Sequence, residues 1–366
     1  MNTNVKNKVV TVVMIVFFLG LSGFCRLKPS DDFSDSERRA LAQFPVVSAK
    51  ELLSGNFMTK FESYTLDQFP LRDEFRNIKA VMASYLFRQK DNNGIYVVDD
   101  YVSKIEYPMK EDSVKRAGAR FAYVYEKYLA GTETQAYVSI VPDKNYFLAE
   151  KNGYLSMDYE MLEETLLEEM EFAEYIDIKG LLSLEDYYKT DTHWRQECIM
   201  DVAQTLSESM GVTLSGDYEV NTLDKPFYGV YYGQAALPLP AEEMIYLTSD
   251  ILELCRVYDY QNEKEMGIYD FEKAYGKDPY EMFLSGTLSL VTITNPFAET
   301  DKELVVFRDS FGSSIAPLFA QGYKKITLVD IRYMHPDMLK HYVEFENQDV
   351  LFLYSTLVLN NAETIK

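Results

Sequence analysis

The stretch from residue 304 to residue 330, "LVVFRDSFGSSIAPLFAQGYKKITLVD", carries the pattern that decides the fold. Its two short apolar runs, 304–307 and 326–330, predict buried strands, and residues 314–322 between them predict a helix that stops at a glycine. A strand, a helix and a second strand in this order predict two parallel strands, because a parallel pair needs a long crossover connection.

The same alternation extends on both sides of this stretch. Short apolar strands that alternate with helices predict a mainly parallel sheet with helices on both faces, a three-layer α/β/α fold. Residues 212–300 interrupt the alternation, and we interpret them as an insertion or subdomain. The further predicted elements are strands over 136–141, 174–178 and 350–355 and helices over 158–172, 195–211 and 336–345.

The N-terminus predicts a membrane segment. Lys6 and Lys8 precede an uncharged apolar run over 9–24, and no small-x-small cleavage site precedes Cys25. We therefore expect a single N-terminal anchor in a bacterial cell membrane, with the folded part on the extracytoplasmic side. The expected divisions are an anchor or uncleaved signal over 1–25, a tether over 26–36 and a catalytic domain over 37–366.

Composition excludes several classes of function. The formal net charge of -22 argues against a nucleic-acid partner, because affinity for phosphate backbones depends on Lys and Arg. The three cysteines form neither a disulfide framework nor a zinc-binding spacing. His335 and His341 are six residues apart, a spacing that does not place them on one helix face. We expect neither a metal nor a cofactor.

Residues 190 to 194, "TDTHW", follow the predicted strand over 174–178 and contain a candidate catalytic pair. In an extended segment, Asp191 and His193 project to the same side, so the carboxylate can accept a hydrogen bond from the imidazole and fix its tautomer. Alternatively, Asp191 or Thr192 caps the following helix, and His193 and Trp194 fill its first turn.

A second candidate turn lies in the opening stretch. Ser310 falls where the strand over 304–307 gives way to a helix, a position at which its own backbone N–H can help to stabilise an oxyanion. The alternative is an ordinary turn or capping serine. If both turns meet at the carboxyl edge of the sheet, they supply a nucleophile, a base and a group that orients the base, as nucleophilic acyl transfer requires.

The two motifs together resemble a known family. "TDTHW" at 190–194 followed by "FRDSF" at 307–311 is similar to the DHHW family and the related alginate O-acetyltransferases, which have an SGNH-hydrolase-like fold. The resemblance covers most of the chain outside the anchor. It extends through "SERRALAQFP" (36–45), "FESYTLDQFPLRDEFR" (61–76), "IVPDKNYFLA" (140–149), "DIRYM" (330–334) and "LFLYSTLVLNN" (351–361).

This resemblance implies a circularly permuted SGNH site in which Ser310 attacks, His193 is the general base and Asp191 orients it. It also implies an enzyme that places acetyl groups on an exported polysaccharide and receives them through a membrane-bound O-acyltransferase. Two positions depart from the family pattern: Thr192 stands where the name motif has a second histidine, as in the alginate branch, and Arg308 stands where many SGNH proteins have glycine.

Further residues near the two motifs are candidates for substrate or oxyanion contacts. Arg332 and Tyr333 follow the strand over 326–330, where an ion pair or a packed ring is the alternative to a substrate contact. Asn360 is a candidate for the amide donor that SGNH sites use, or it merely ends a strand. The complete set of such candidates is Trp194, Asp309, Phe311, Arg332, Tyr333 and Asn360.

The sequence therefore predicts an extracytoplasmic O-acetyltransferase of a cell-surface or exported polysaccharide. A carbohydrate acetyl esterase with the same triad is one alternative, since the two enzymes differ mainly in whether water or a sugar hydroxyl accepts the acyl group. A non-catalytic glycan-binding assembly protein, with the Tyr-rich 212–300 segment as the binding region, is the other.

Overall fold

The computed structural model describes residues 3–366, with side chains from residue 5 onward. The chain divides into two compact units. The first contains the residues up to Gln89 together with Ala236–Pro238, and the second contains Lys90–Ala235 and Leu239–Lys366. The division into anchor, tether and catalytic domain at residues 25 and 36 stays a prediction.

The first unit begins with the apolar helix α1, Thr3–Leu27. Its segment Val5–Leu27, with a mean hydropathy of 2.2, is long and apolar enough to cross a membrane, a property that signal sequences share. The unit also holds an ion pair in which Arg39 donates two hydrogen bonds to Asp67, at 2.9 and 2.6 Å. Its other elements are β1 (Phe33–Ser34), β2 (Arg39–Ala40), α2 (Ala49–Leu53), α3 (Asn56–Asp67) and α4 (Arg72–Val81).

The second unit is built on one large sheet and two hairpins. The hairpins are β3 (Ile95–Val98) with β4 (Tyr101–Lys104), and β7 (Glu219–Thr222) with β8 (Ile245–Thr248). The sheet has eight strands in the order β10-β9-β11-β13-β12-β14-β5-β6. These are β5 (Gln135–Val141), β6 (Glu174–Tyr175), β9 (Arg256–Asp259), β10 (Lys264–Met266), β11 (Leu290–Thr294), β12 (Glu303–Arg308), β13 (Lys325–Val329) and β14 (Asp349–Ser355).

The sheet is mainly parallel, as the sequence predicted. Strands β13, β12, β14, β5 and β6 run in the same direction, and β11, β9 and β10 continue the sheet in antiparallel fashion. The antiparallel strands come from residues 256–294, so part of the segment that interrupts the predicted alternation belongs to the main sheet. Strands β5, β12, β13 and β14 of the parallel part are mostly buried, because both faces of the sheet are covered there.

Helices cover the sheet on both faces and complete three layers. Along β12, Val305 and Phe307 pack into one core with helices α5 and α7, and Leu304 and Val306 pack into the other with α8. The alternation follows from the period of two in a strand. The helices of the second unit are α5 (Glu111–Val124), α6 (Lys144–Leu148), α7 (Tyr159–Glu169), α8 (Met200–Ser209), α9 (Val230–Ala235), α10 (Asp250–Leu254), α11 (Phe271–Ala274), α12 (Gly312–Ile315) and α13 (Thr356–Leu359).

Several predicted helices are shorter than the sequence pattern suggested. The helix predicted over 314–322 is α12 followed by a 3₁₀ turn, Ala316–Gln321, because Pro317 has no N–H to continue an α-helix. The helix predicted over 195–211 is a 3₁₀ turn at Gln196–Cys198 followed by α8. The helix predicted over 336–345 is a 3₁₀ helix, Pro336–His341, and the strand over 174–178 shortens to β6.

Candidate active site

The segment that contains Asp191 and His193 forms a tight loop. Tyr187 and Trp194 pair across the loop as an isolated antiparallel bridge, and the backbone N–H of Tyr188 donates to the carbonyl oxygen of His193 at 3.1 Å. The next helical element is the 3₁₀ turn that begins at Gln196, and no side chain caps its N-terminus. Asp191 therefore lies in a loop and is not the cap of a helix.

Three side chains form a continuous hydrogen-bonded chain at this loop. The Nδ1 of His193 lies 2.6 Å from the Oδ1 of Asp191, and its Nε2 lies 2.8 Å from the Oγ of Ser310. His193 and Ser310 are partly exposed, whereas Asp191 is buried. This is the arrangement in which a carboxylate orients an imidazole that removes a proton from a serine hydroxyl.

The Asp191 carboxylate is held by two backbone groups in addition to the imidazole. Its Oδ1 accepts from the N–H of His193 at 3.2 Å, and its Oδ2 accepts from the N–H of Val230 at 2.8 Å. Val230 can approach so closely because residue 229 is glycine: a Cβ there would lie 2.3 Å from the Cα and Cβ of Asp191. The 212–300 segment thus contacts the carboxylate directly.

Two further side chains fix the loop that leads to Asp191. The carboxylate of Glu242 accepts from the backbone N–H of Thr190 at 2.7 Å and from its hydroxyl at 2.6 Å, and also from the N–H of Lys189. The buried ammonium of Lys144 donates to the carbonyl oxygens of Tyr188 and Lys189 at 2.8 and 2.9 Å. Burial lowers the pKa of Lys144 to about 7, and the nearby carboxylates of Asp191 and Glu242 oppose that shift.

The turn that carries Ser310 is held by its neighbour Asp309. The Oδ1 of Asp309 accepts from the N–H of Phe311 at 3.0 Å, and its Oδ2 accepts from the N–H and hydroxyl of Ser355 at 2.8 and 2.6 Å. Asp309 is fully buried and supports the turn, and its contact with a substrate stays a prediction. Within the described part of the chain the N–H of Ser310 has no acceptor, so it is the candidate oxyanion donor.

Arg308, the departure from the family pattern, is buried behind the nucleophile turn. Its guanidinium donates to the carbonyl oxygens of Asp309, Gly286 and Leu288 at 3.3 to 3.4 Å. The side chain passes beneath Gly312, where an added Cβ would come within 2.6 Å of the Arg308 Cβ. Burial lowers the pKa of Arg308 below its usual range, and Asp330, 3.9 Å away, opposes that shift.

Aromatic rings enclose the imidazole. The ring of Tyr280 stacks on His193 with a centroid distance of 3.8 Å and an interplanar angle of 6°, and Phe311 contacts His193 at 5.0 Å. The indole N–H of Trp194 donates to the Oγ of Ser314 at 2.9 Å and the carbonyl oxygen of Phe311 at 3.2 Å. Trp194 and Phe311 are buried and support the imidazole, and their contact with a substrate stays a prediction.

The other candidates from the sequence are engaged elsewhere or exposed. Arg332 donates from Nε and Nη2 to the buried carboxylate of Asp330 at 2.9 and 2.6 Å, which makes it one half of an ion pair. The amide of Asn360 accepts from the N–H of Lys110 at 2.7 Å and donates to the carbonyl of Pro108 at 3.2 Å. Asn360 therefore holds a loop, and its role as an oxyanion donor stays a prediction. Tyr333 is half exposed at 50%.

Sequence reasoning missed Gly229, Val230, Glu242 and Tyr280. All four lie in the 212–300 segment, whose sequence has no regular alternation, and their contacts span 38 or more residues. The abundance of tyrosine, 29 residues in the chain, gave no hint of which ring would lie on His193. Within residues 5–366, no group of three or more His, Cys, Asp or Glu side chains has the arrangement of a metal site.

Comparison with solved structures identifies relatives of this fold. A DHHW family protein from Eubacterium siraeum matches with a TM-score of 0.60 and 21% identity, over 75% of this chain and 95% of its own. Bacillus cereus PatB1, solved with a sulfonyl adduct, matches with a TM-score of 0.57 and 19% identity, over 72% of this chain and 95% of its own. The resemblance inferred from "TDTHW" and "FRDSF" is thus confirmed at the level of the fold.

A more distant match adds no information about the fold. The O-acetyltransferase domain of Pseudomonas putida AlgJ matches over 74% of this chain and 93% of its own, with 12% identity. Its TM-score of 0.39 is too low to establish a shared fold. No protein-family model and no curated protein matches the sequence.

Proposed function

We propose that this protein is an extracytoplasmic, membrane-anchored O-acetyltransferase that acetylates a cell-surface or exported polysaccharide through Ser310, His193 and Asp191. The observation that carries the proposal is the hydrogen-bonded chain from Asp191 Oδ1 through both nitrogens of His193 to Ser310 Oγ. An imidazole held between a buried carboxylate and a serine hydroxyl is the arrangement of an activated nucleophile.

In the first half-reaction the Nε2 of His193 accepts the hydroxyl proton of Ser310 while Oγ attacks the carbonyl carbon of an acetyl ester. The N–H of Ser310 donates to the oxyanion that develops at that carbon. The bond to the donor's alcohol oxygen then breaks, and this oxygen takes the proton from His193. Asp191 keeps Nδ1 protonated and stabilises the imidazolium that forms between the two proton transfers.

In the second half-reaction a sugar hydroxyl takes the place of the donor's alcohol. His193 accepts the proton of this hydroxyl, the sugar oxygen attacks the acetyl carbon, and the bond to Ser310 Oγ breaks as Oγ recovers the proton. The products are an acetylated polysaccharide and free enzyme. Water in place of the sugar would make the same site an esterase, because the two acceptors use the same steps.

The substrate class and location rest on the motif resemblance and the N-terminal helix. "TDTHW" and "FRDSF" are similar to motifs of enzymes that acetylate exported polysaccharides, and Val5–Leu27 has the length and composition of an anchor. We infer that a membrane-bound O-acyltransferase delivers the acetyl group on the same side of the membrane. An anchored catalytic domain would stay close to such a donor.

The test combines chemical labelling with a transfer assay on the full chain in detergent. Phenylmethylsulfonyl fluoride should add a sulfonyl group to one site of the wild type, because an activated serine displaces fluoride. Ser310→Ala should lose the label and slow acetyl-ester turnover by at least about 10⁴-fold. Ser313→Ala is the matched control, since Ser313 lies in helix α12 directly after the turn and its buried hydroxyl has no partner among the described residues.

The acceptor is identified in the same assay by mass spectrometry with and without added oligosaccharide. An O-acetylated sugar supports the transferase, and acetate release that oligosaccharide does not reduce identifies an esterase instead. Labelling and turnover that persist in Ser310→Ala would remove Ser310 from the mechanism and overturn the proposal.

A further inference from the structure

The imidazole of His193 lies against a residue from a distant part of the chain. The ring of Tyr280 is parallel to it within 6°, at a centroid distance of 3.8 Å, and 87 residues separate the two in sequence. Aromatic pairs commonly pack offset or edge-on. Here the face of the Tyr280 ring covers the imidazole, and this contact restricts the imidazole more than an edge-on contact would. Tyr280 belongs to the 212–300 segment, outside the two motifs that carry the triad.

Local structure fixes the position of the Tyr280 ring. Tyr280 lies in the 3₁₀ helix Pro279–Met282, where Pro279 sets the backbone angle of the first position and the Asp278 side chain accepts from the N–H of Tyr280 at 3.2 Å. Its side chain is buried in a small core, which also contains Phe283 with a centroid distance of 5.1 Å. A ring held in this way cannot follow an imidazole that rotates.

The Tyr280 hydroxyl joins the two motifs of the triad. It lies 2.8 Å from the Oγ of Ser314, and that oxygen accepts from the indole N–H of Trp194 at 2.9 Å. Trp194 is next to His193 in the chain, and Ser314 follows Ser310 by four residues. Burial raises the pKa of Tyr280 well above its usual range, so the ring beside the imidazole stays neutral.

This arrangement has a consequence for catalysis. His193 works only while Nδ1 faces Asp191 and Nε2 faces Ser310, and rotation of the imidazole about its bond to Cβ breaks both hydrogen bonds at once. A parallel ring at van der Waals distance opposes that rotation. The face of an aromatic ring also attracts a cation, so it favours the imidazolium that forms when Ser310 gives up its proton.

We infer that Tyr280 is a positioning residue for His193, and that the 212–300 segment is part of the catalytic machinery because it supplies this ring. The inference rests on the proposed function, in which His193 is the general base. The aromatic ring of Tyr280 positions the imidazole, and its hydroxyl helps to hold the ring in place. Tyr280→Phe should therefore preserve the role and Tyr280→Leu should remove it.

The geometry is testable without any substrate, because the chain has three histidines. In the full chain labelled with ¹³C-histidine, the ring current of Tyr280 should move the Cε1–H proton of His193 to higher field than those of His335 and His341. The displacement should persist in Tyr280→Phe and fall in Tyr280→Leu to the part that Phe311 contributes. Tyr246→Leu is the matched control, since it removes a ring that packs against the same core and contacts Tyr269 and Phe271.

Kinetics on a small acetyl ester test the catalytic role. Tyr280→Leu should lower kcat by between about 10- and 100-fold and leave KM close to that of the wild type, because an unrestrained imidazole affects the chemical step. Tyr280→Phe should restore kcat, and Tyr246→Leu should keep it. An unchanged kcat in Tyr280→Leu, or an equal loss in Tyr246→Leu, overturns the inference.

The two proposals fail separately. Wild-type protein that neither reacts with phenylmethylsulfonyl fluoride nor turns over the ester contradicts the proposed function, and with it the positioning role that depends on it. Wild-type protein that does both, combined with a Tyr280→Leu variant of normal kcat, leaves the proposed function intact and removes only Tyr280.

Discussion

The Nε2 of His193 lies 2.8 Å from the Oγ of Ser310, although 117 residues separate the two in the chain. Strands β6 and β12, which precede the two segments, have β5 and β14 between them in the sheet. The chain after β6 must therefore cross the ends of two strands. Two contacts are made along this crossing. The hydroxyl of Tyr187 donates to the carbonyl oxygen of Pro142 at 2.6 Å, and the ammonium of Lys144 donates to the carbonyl oxygen of Tyr188.

Asp191→Asn should reduce turnover of a small acetyl ester by up to roughly 10⁴-fold while the fold persists, because the amide cannot hold His193 in the tautomer that accepts the Ser310 proton. The substitution keeps the shape of the side chain and one acceptor oxygen for the N–H of Val230. The measurement is kcat, with the circular dichroism of both proteins as the control for folding. Normal turnover in Asp191→Asn, together with none in His193→Ala, would show that Asp191 only shapes the loop.

Gly229→Ala should lower both kcat and thermal stability, because its methyl group would lie 2.3 Å from Asp191 and force the carboxylate away from Val230 and His193. The expected destabilisation is about 1–3 kcal/mol, the range for overpacked cores. Gly180→Ala is the matched control, since an added Cβ at Gly180 meets nothing within 4 Å. If Gly229→Ala and Gly180→Ala have the same kcat for the ester, the close approach at Gly229 has no part in positioning Asp191.

Arg332→Ala should destabilise the protein by about 3 kcal/mol and leave the KM for an oligosaccharide acceptor unchanged, because it deprives the buried Asp330 of its bidentate partner. Tyr333→Ala removes the exposed ring beside it and serves as the comparison. The measurements are the free energy of unfolding and the acceptor KM of each variant. A raised KM in Arg332→Ala at unchanged stability would restore Arg332 as a substrate contact.

The sequence was sufficient to predict that Asp191, His193 and Ser310 lie together, because each of the two motifs has a local signature. The Asp-x-His spacing places two side chains on one side of an extended segment, and Ser310 follows an apolar strand whose edge in the sheet is set by the alternation around it. The structure brings Asp191, His193 and Ser310 together as this reasoning required. The parallel part of the sheet was predictable for the same reason.

The supporting contacts were not predictable, because they depend on where a long segment without regular alternation folds back. Val230 reaches Asp191 through a backbone N–H, a group that every non-proline residue possesses, so the sequence carries no sign of it. Tyr280 is one of 29 tyrosines, and only its place in the three-dimensional structure distinguishes it. The sequence suggested that Trp194 fills the first turn of a helix or contacts a substrate. In the structure its indole N–H donates to the hydroxyl of Ser314 inside the core.

The buried Lys144 should make the stability of the protein depend on pH. Its ammonium donates to two carbonyl oxygens of the loop before Asp191, and burial lowers its pKa to about 7, against about 10.4 in an unfolded chain. Between these values the unfolded chain holds a proton that the folded protein has released. Stability therefore rises with pH across this window, because the unfolded state binds more protons.

Lys144→Met removes the titrating group. The free energy of unfolding of the wild type, relative to that of Lys144→Met, should therefore increase by about 1.4 kcal/mol for each pH unit between pH 7 and 9. Trp194, the single tryptophan, is buried beside the loop, so its fluorescence in urea titrations reports this region. Lys115→Met is the control: Lys115 is exposed and paired with Glu111, which raises its pKa, so it keeps its proton in both states over this range. A wild-type advantage over Lys144→Met that stays constant from pH 7 to pH 9 would mean that the Lys144 ammonium remains charged in the folded protein, held by the two carbonyls and the carboxylates of Asp191 and Glu242.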